Sequence, residues 1–309
     1  MDALIGLDVG ASHIKALALT LEGKILCEKS IPTSDDGSKS WMQSARDLFH
    51  LIQHRYSEST AVGVAAPGLV APDGSSIAWM PGRLSGLEGL NWQEWLGFRT
   101  HIPVFNDAKA ALLGEIWLGA AKGARNVVLL TLGTGVGGAA IVDGHLLRGH
   151  LGRAGHLGHV SLNPDGLLDI VNTPGSLEDA IGEHTLAKRS NGQFATTREL
   201  VEAFRNGSKE ASAIWLKSIR ALAAAIAGLI NVLDPEIIVI GGGIAHANDA
   251  LFGPLQAALD EFEWRPGGAR VRFQKAALGP NAGAFGAAFG AKLALTDQSK
   301  SVISLEKPI

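Results

Sequence analysis

Apolar and polar positions along the chain switch between two spacings. Residues 4–7 form a buried apolar run that reads as a strand, and residues 14–19 and 24–26 read as two more strands, with Glu22-Gly23 as a tight turn between them. Trp41, Ala45, Leu48, Phe49 and Ile52 recur at helical spacing, which predicts an amphipathic helix over 41–56. Residues 61–65 predict a strand closed by Pro67-Gly68, and residues 102–105 another that runs into Asn106-Asp107. Side chains of this kind accept hydrogen bonds from the first unpaired amides of a helix, so the pair marks the start of a helix over 108–118.

The pattern then restarts. Residues 127–132 predict a strand ended by Gly133-Thr134-Gly135-Val136-Gly137-Gly138, followed by a strand at 139–142, the turn Asp143-Gly144 and a further strand at 145–147. Residues 18–26 align without gaps over 139–147, which reads as a structural duplication. After a loop-rich stretch at 150–175, residues 211–233 predict a buried helix ended by Asp234-Pro235. A strand at 236–240, the triplet Gly241-Gly242-Gly243, a helix over 248–262 and a small-residue helix over 282–295 complete the chain. Alternating strands and helices give an α/β fold. The expected division is a smaller lobe, 1–117, completed by a C-terminal helix at 288–309, and a larger lobe, 118–287, with ligand in a cleft between the halves.

Composition narrows the function. The 309 residues suit about two domains. Lys and Arg number 27 against 30 Asp and Glu, a net charge of −3, which argues against the basic face that nucleic acid requires. The longest apolar run, 221–230, is short of the roughly 20 residues of a membrane span, so no membrane partner is expected. Asp2 and Asp8 bracket the first strand and leave no room for a signal-peptide core, and a cytoplasmic protein is expected. Cys27 is the single cysteine, which excludes disulfides within the chain and multi-cysteine metal sites. The 39 glycines sit at the ends of apolar runs, where backbone loops can approach a ligand closely.

Gly133-x-Gly135-x-x-Gly138 has the spelling of a dinucleotide fingerprint, but it opens a strand where that fingerprint must open a helix. A glycine-rich bend between strands can still cradle phosphate through successive backbone N–H groups. Residues 8–12 and 133–135 are two such bends, each with a hydroxyl, Ser12 and Thr134. Glycines that merely make hairpin turns explain either bend alone better than they explain the pair. Asp8 ends a buried strand, where a carboxylate is costly unless paired; facing phosphate, its natural partner is hydrated Mg²⁺. Gly241-Gly242-Gly243 would let a flat ring such as adenine approach the backbone.

Together these residues resemble the ROK family of sugar kinases and related repressors, within the duplicated actin-like ATPase (ribonuclease H-like) fold. Asp8-Val9-Gly10-Ala11-Ser12-His13-Ile14-Lys15 resembles the first phosphate motif, with Ala11 and Ser12 where Gly and Thr are usual. Gly133 to Gly138 matches the second in full, and Asn106-Asp107 with Gly114-Glu115 is similar to the N-D…G-E segment. Gly155-His156-Leu157-Gly158-His159 and Gly175-Ser176-Leu177-Glu178 resemble the sugar motifs. Ile240 to Ile244 and Asn281 to Ala288 resemble the adenosine-side motifs.

The resemblance implies an ATP-dependent kinase acting on the 6-hydroxyl of glucose, a related hexose or an N-acetylhexosamine. Asp107 would be the general base, and Asn106, His159 and Glu178 would hold sugar hydroxyls, with His156 facing the sugar in place of the usual glutamate. Gly10, Ser12, Lys15, Gly133, Thr134 and Gly135 would serve the phosphates, Gly242 and Gly243 the adenosine, and Asp8 would sit near Mg²⁺. For Asp107 the plainer role is N-capping of the helix that follows. The family usually carries a zinc bound by one histidine and three cysteines; at 169–176 all three cysteine positions are replaced, so no such zinc is expected and hydrogen bonds and packing must hold the loop. Trp79, Trp92 and Trp95 either floor a sugar site or pack in the core. The apolar helix around 214–233 offers surface for a homodimer. The alternative function is a non-catalytic sugar-sensing protein without a DNA-binding domain, which the altered Ala11, Ser12 and His156 keep open.

Overall fold

The computed structural model describes residues 3–56 and 59–296. Its chain divides into two compact units and passes between them four times: Met1–Arg125, Asp143–Gly155 and Ala277–Ile309 make the first, Asn126–Val142 and His156–Ala276 the second. The expected boundaries at 117 and 288 therefore differ from these, and the part of the expected 288–309 helix beyond residue 296 lies outside the described residues.

In the first unit β1 (Ala3–Val9), β2 (His13–Leu19), β3 (Ile25–Pro32), β4 (Ser59–Ala66) and a strand at Val104–Asn106 form one sheet, with α1 (Ser40–Arg55) between β3 and β4. β1 pairs antiparallel with β2 and parallel with β4, so it is flanked on both edges and both faces are buried. The side-chain period of two splits its residues between two cores. Ile5, Leu7 and Val9 face α1 and pack with Trp41, Phe49 and Trp92. Leu4 faces the other way, onto α9 (Ala282–Thr296), with Ala284, Phe285 and Ala288. Asp8 shares the period of Leu4 and Gly6 and so meets the first turn of α9.

Small residues on α9 have a packing reason. A Cβ on Gly6 would overlap the Ala284 carbonyl, one on Gly63 the Ala287 carbonyl, and one on Gly286 the Ala110 carbonyl of the helix Asp107–Trp117. Backbone therefore touches backbone around α9. Gly63→Ala is expected to destabilise the protein by roughly 2–3 kcal/mol through overpacking. Gly228→Ala, on an open face of the helix Lys209–Leu233, should leave stability unchanged or raise it by up to about 1 kcal/mol. Equilibrium denaturation of the two variants checks the contrast, and equal effects would contradict it.

The second unit repeats the topology. Val127–Leu132 pairs antiparallel with Val136–Val142 and parallel with Ile237–Gly241, which pairs parallel with Arg272–Lys275. This is the relation of β1 to β2, β4 and the strand Val104–Asn106 in the first sheet. The duplication read from the two hairpins thus extends to the strand order. Gly137 and Gly138, read as loop, belong to the strand, and the bend itself is Gly133–Gly135. The helix Lys209–Leu233 begins where the Ser208 hydroxyl accepts the Ala211 amide and ends at Asp234, whose φ of 43° is left-handed before Pro235. It is long and apolar enough to cross a membrane by composition, unlike the ten-residue run within it. Its stripe of Trp215, Ile219, Leu222 and Ile226 is buried within the fold, and Trp215 Nε1 donates to the Ala250 carbonyl at 2.8 Å.

Candidate active site

Both glycine bends turn their carbonyls inward. In the first unit Gly10 N–H closes the bend onto the His13 carbonyl at 3.0 Å, while Thr33 donates its hydroxyl to the Gly10 carbonyl at 2.8 Å and its amide to the Ser12 carbonyl at 2.9 Å. In the second, Gly133 N–H closes onto the Gly135 carbonyl at 2.9 Å, and the amides of Glu183 and His184 take the Gly133 and Thr134 carbonyls, each at 3.0 Å. The N–H groups of Ala11 and Ser12, and of Thr134 and Gly135, find no protein acceptor among the described residues. Ser12 and Thr134 are exposed beside them. Carbonyls tied down and N–H groups left open make an anion-binding concavity.

Asp8 and Lys15 are register partners on β1 and β2. Lys15 Nζ donates to the Pro280 carbonyl at 2.5 Å, just before α9, and Gly283 leaves the room that the Asp8 carboxylate occupies. Burial pushes the Asp8 carboxyl up to about 7; the Lys15 ammonium opposes this and the nearby Asp107 carboxylate adds to it. A buried carboxylate with a second one near enough to raise its pKa would suit a divalent cation.

The structure separates Asn106 from Asp107. Asn106 has extended backbone, with φ −61° and ψ 145°, and its Oδ1 accepts from the amides of Ala108 and Lys109 at 3.1 and 3.4 Å. Its Nδ2 donates to the Gly68 carbonyl at 3.2 Å. Asn106 is therefore the helix cap. Asp107 is the first helical residue, accepts the Ala108 amide at 2.8 Å and keeps an exposed side chain. Desolvation by the surrounding protein raises its pKa, against the lowering effect of bonds from Ala108 and Asn106. Glu115, eight residues along the same helix, is fully buried; its carboxylate accepts the amides of Ala120, Ala277 and Leu278 at 2.7–3.0 Å and anchors the approach to α9.

The remaining predicted residues gather in the second unit. Glu178 is buried near the start of the helix Leu177–Ile181, and its Oε2 accepts the Val136 amide at 2.8 Å. A Cβ on Gly135 would collide with that carboxylate, so this glycine admits Glu178 to the bend. His156 precedes a single turn, Leu157–His159, and Gly158 lies against the Val136 carbonyl. His159 pairs through Nδ1 with Asp169 Oδ2 at 2.8 Å. Gly242, at φ 85°, packs on the Leu132 carbonyl, and Gly243 faces open space. The tryptophans divide as core and surface: Trp92 is buried 6.3 Å from Trp41, Trp95 lies under Arg46, and Trp79 is exposed. His184 Nδ1 also meets the Thr134 carbonyl at 2.8 Å, and a lone histidine after Glu183 carries no local signal that would point to this.

The residues of this chain do not fit the family's zinc. The loop 169–176 carries no thiolate, Cys27 lies on β3 of the other unit, and no group of three or more His, Cys, Asp and Glu that could hold a metal ion occurs among the described residues.

Comparison with known proteins follows the same lines. A glucokinase of Thermotoga maritima is 31% identical, over 84% of this chain and 87% of its own. An N-acetylmannosamine kinase of Haemophilus influenzae is 30% identical over 97% and 98%. The crystal structure of a ROK family glucokinase from Streptomyces griseus, in complex with glucose and AMPPNP, superposes with a TM-score of 0.75 at 27% identity, covering 94% of this chain and 99% of that one. The fold is the actin-like ATPase fold expected from the motifs. The ROK family model matches residues 4–294, spanning both glycine bends, Asp107 and the His159 loop, and the chain belongs to that family.

Proposed function

We propose that the protein is an ATP-dependent hexose kinase that transfers the γ-phosphoryl group of MgATP to the 6-hydroxyl of glucose or an N-acetylhexosamine. The observation that carries this reading is the pair of bends with open N–H groups, one in each unit, together with an exposed aspartate at a helix start that is not the helix cap. The curated relatives named as glucokinase and N-acetylmannosamine kinase support the substrate class.

In this reading Gly10, Ser12, Gly133, Thr134 and Gly135 hold phosphate oxygens by backbone N–H and hydroxyl groups, Lys15 adds charge, and Gly242 and Gly243 receive the adenosine. Asp8 holds Mg²⁺ through water, which supplies neutralisation of the triphosphate charge. Asp107 accepts the proton of the sugar 6-hydroxyl as its oxygen bonds to the γ-phosphorus and the bond to the departing ADP oxygen breaks. Its raised pKa brings the base nearer to working pH, where a general base is most effective. His159, His156 and Glu178 fix the other hydroxyls, and Asn106 sets the position of Asp107 from the cap. Ala11 in place of glycine leaves the amide available, and Ser12 retains a hydroxyl, so neither change removes a group that transfer needs.

The test is a panel of hexoses and N-acetylhexosamines incubated with MgATP, followed for ADP. At least one sugar is expected to raise ADP formation more than about 100-fold over the sugar-free rate. Sugar-independent ADP formation, or none with any member, would overturn the reading.

A further inference from the structure

The loop that in the family is closed by zinc is closed here by one carboxylate. Asp169 has a fully buried side chain. Its Oδ2 meets His159 Nδ1 at 2.8 Å, and its Oδ1 accepts the amides of Val171 and Thr173 at 2.9 and 2.8 Å. Ser176 lies beside it and favours its charged form. Three donors thus converge on one side chain. Burial pushes the Asp169 carboxyl up, but the bonds from Thr173, His159, Val171 and Ser176 outweigh it and hold the group below the usual carboxylate range.

The network reaches the residues assigned to the sugar from both sides. His159 is bound directly. Ser176 also caps the helix Leu177–Ile181 by accepting the Asp179 amide at 3.3 Å, and that helix carries Glu178. The loop between is tied by Ser161 Oγ to the Pro174 carbonyl at 2.6 Å and by the Leu162 amide to the Gly175 carbonyl at 2.8 Å. A carboxylate on Nδ1 also dictates which ring nitrogen carries the proton: Nδ1 donates, so Nε2 of the neutral ring presents a lone pair.

We propose that Asp169 is a positioning residue that replaces the family's metal, fixing the His159 tautomer so that Nε2 accepts a hydrogen bond from a sugar hydroxyl. The proposal rests on the kinase reading above, in which His159 touches the sugar. It predicts a protein without bound zinc, whose sugar affinity survives chelation.

Three measurements test it. In ¹⁵N-labelled wild-type protein, the His159 imidazole is expected to give the pattern of a ring protonated at Nδ1; protonation at Nε2 alone would overturn the proposal without any variant. Metal analysis is expected to find no stoichiometric zinc, and chelation followed by restored Mg²⁺ should leave the sugar KM unchanged; one zinc per chain would overturn it. Asp169→Asn is expected to raise the sugar KM roughly 10–100-fold, with kcat and the ATP KM within about threefold, and to shift the imidazole pattern toward Nε2–H. Asp169→Glu should recover part of the affinity. His159→Gln separates the two readings: an unchanged sugar KM defeats the role of His159 itself, whereas a raised KM beside an unaffected Asp169→Asn defeats only the role of Asp169.

Discussion

Replacing Asp107 with asparagine is expected to lower kcat roughly 10³-fold, about 4 kcal/mol of barrier, while the sugar KM changes by less than about threefold. Asparagine keeps the shape and can still accept the Ala108 amide, so the helix start should be unaffected. It cannot take a proton from the sugar hydroxyl. The cap is on Asn106, whose Oδ1 takes two helix amides, so the variant removes the base without removing the cap. Steady-state kinetics at saturating MgATP, with the thermal midpoint as a folding control, reads both quantities. A kcat within tenfold of wild type would remove Asp107 from the chemistry. A raised sugar KM with kcat preserved would make it a binding residue only.

Asp8→Asn should abolish most turnover and stabilise the unliganded protein. Burial disfavours the charge and pushes the folded carboxyl up to about 7 from its ordinary 3.8. Between those values the folded state holds a proton that the unfolded chain has released, so stability falls as pH rises through the window and is lowest above pH 7. That rise sets an upper limit of about 4 kcal/mol, and the partial exposure of Asp8 reduces this to roughly 1–2 kcal/mol. The variant carries no such cost. Its thermal midpoint should match wild type near pH 4 and exceed it by a few degrees at pH 8, with kcat down at least about 100-fold. A variant less stable than wild type at pH 8 would contradict the desolvation of Asp8.

What was legible in the sequence follows from where each element lies. β1 and the strand Val127–Leu132 are central, so their apolar runs are continuous and easily read. β3 was seen only at its start, because an edge strand needs no buried pattern: Glu28, Lys29 and Ser30 are exposed along it. Arg272–Lys275 escaped for the same reason. Glycine is poor in strands, so Gly137 and Gly138 read as loop, yet both sit in the register opposite Thr131 and Leu130. The paired bends, the duplicated hairpins and the N-D junction could be placed from spacing alone. Which of Asn106 and Asp107 caps the helix could not, since either side chain can serve and only the extended backbone at Asn106 decides. Asp169 had no signature as a hub: its partners lie between two and ten residues away in irregular chain, where no periodicity announces a contact.

The chemistry at Asp107 is tested most directly by the position of the phosphate in the product. Wild-type protein, MgATP and the best sugar of the panel should yield one phosphorylated sugar. Its ¹H–³¹P correlation spectrum is expected to couple phosphorus to the two protons on carbon 6. Coupling to the anomeric proton, or inorganic phosphate as the only new signal, would contradict the account.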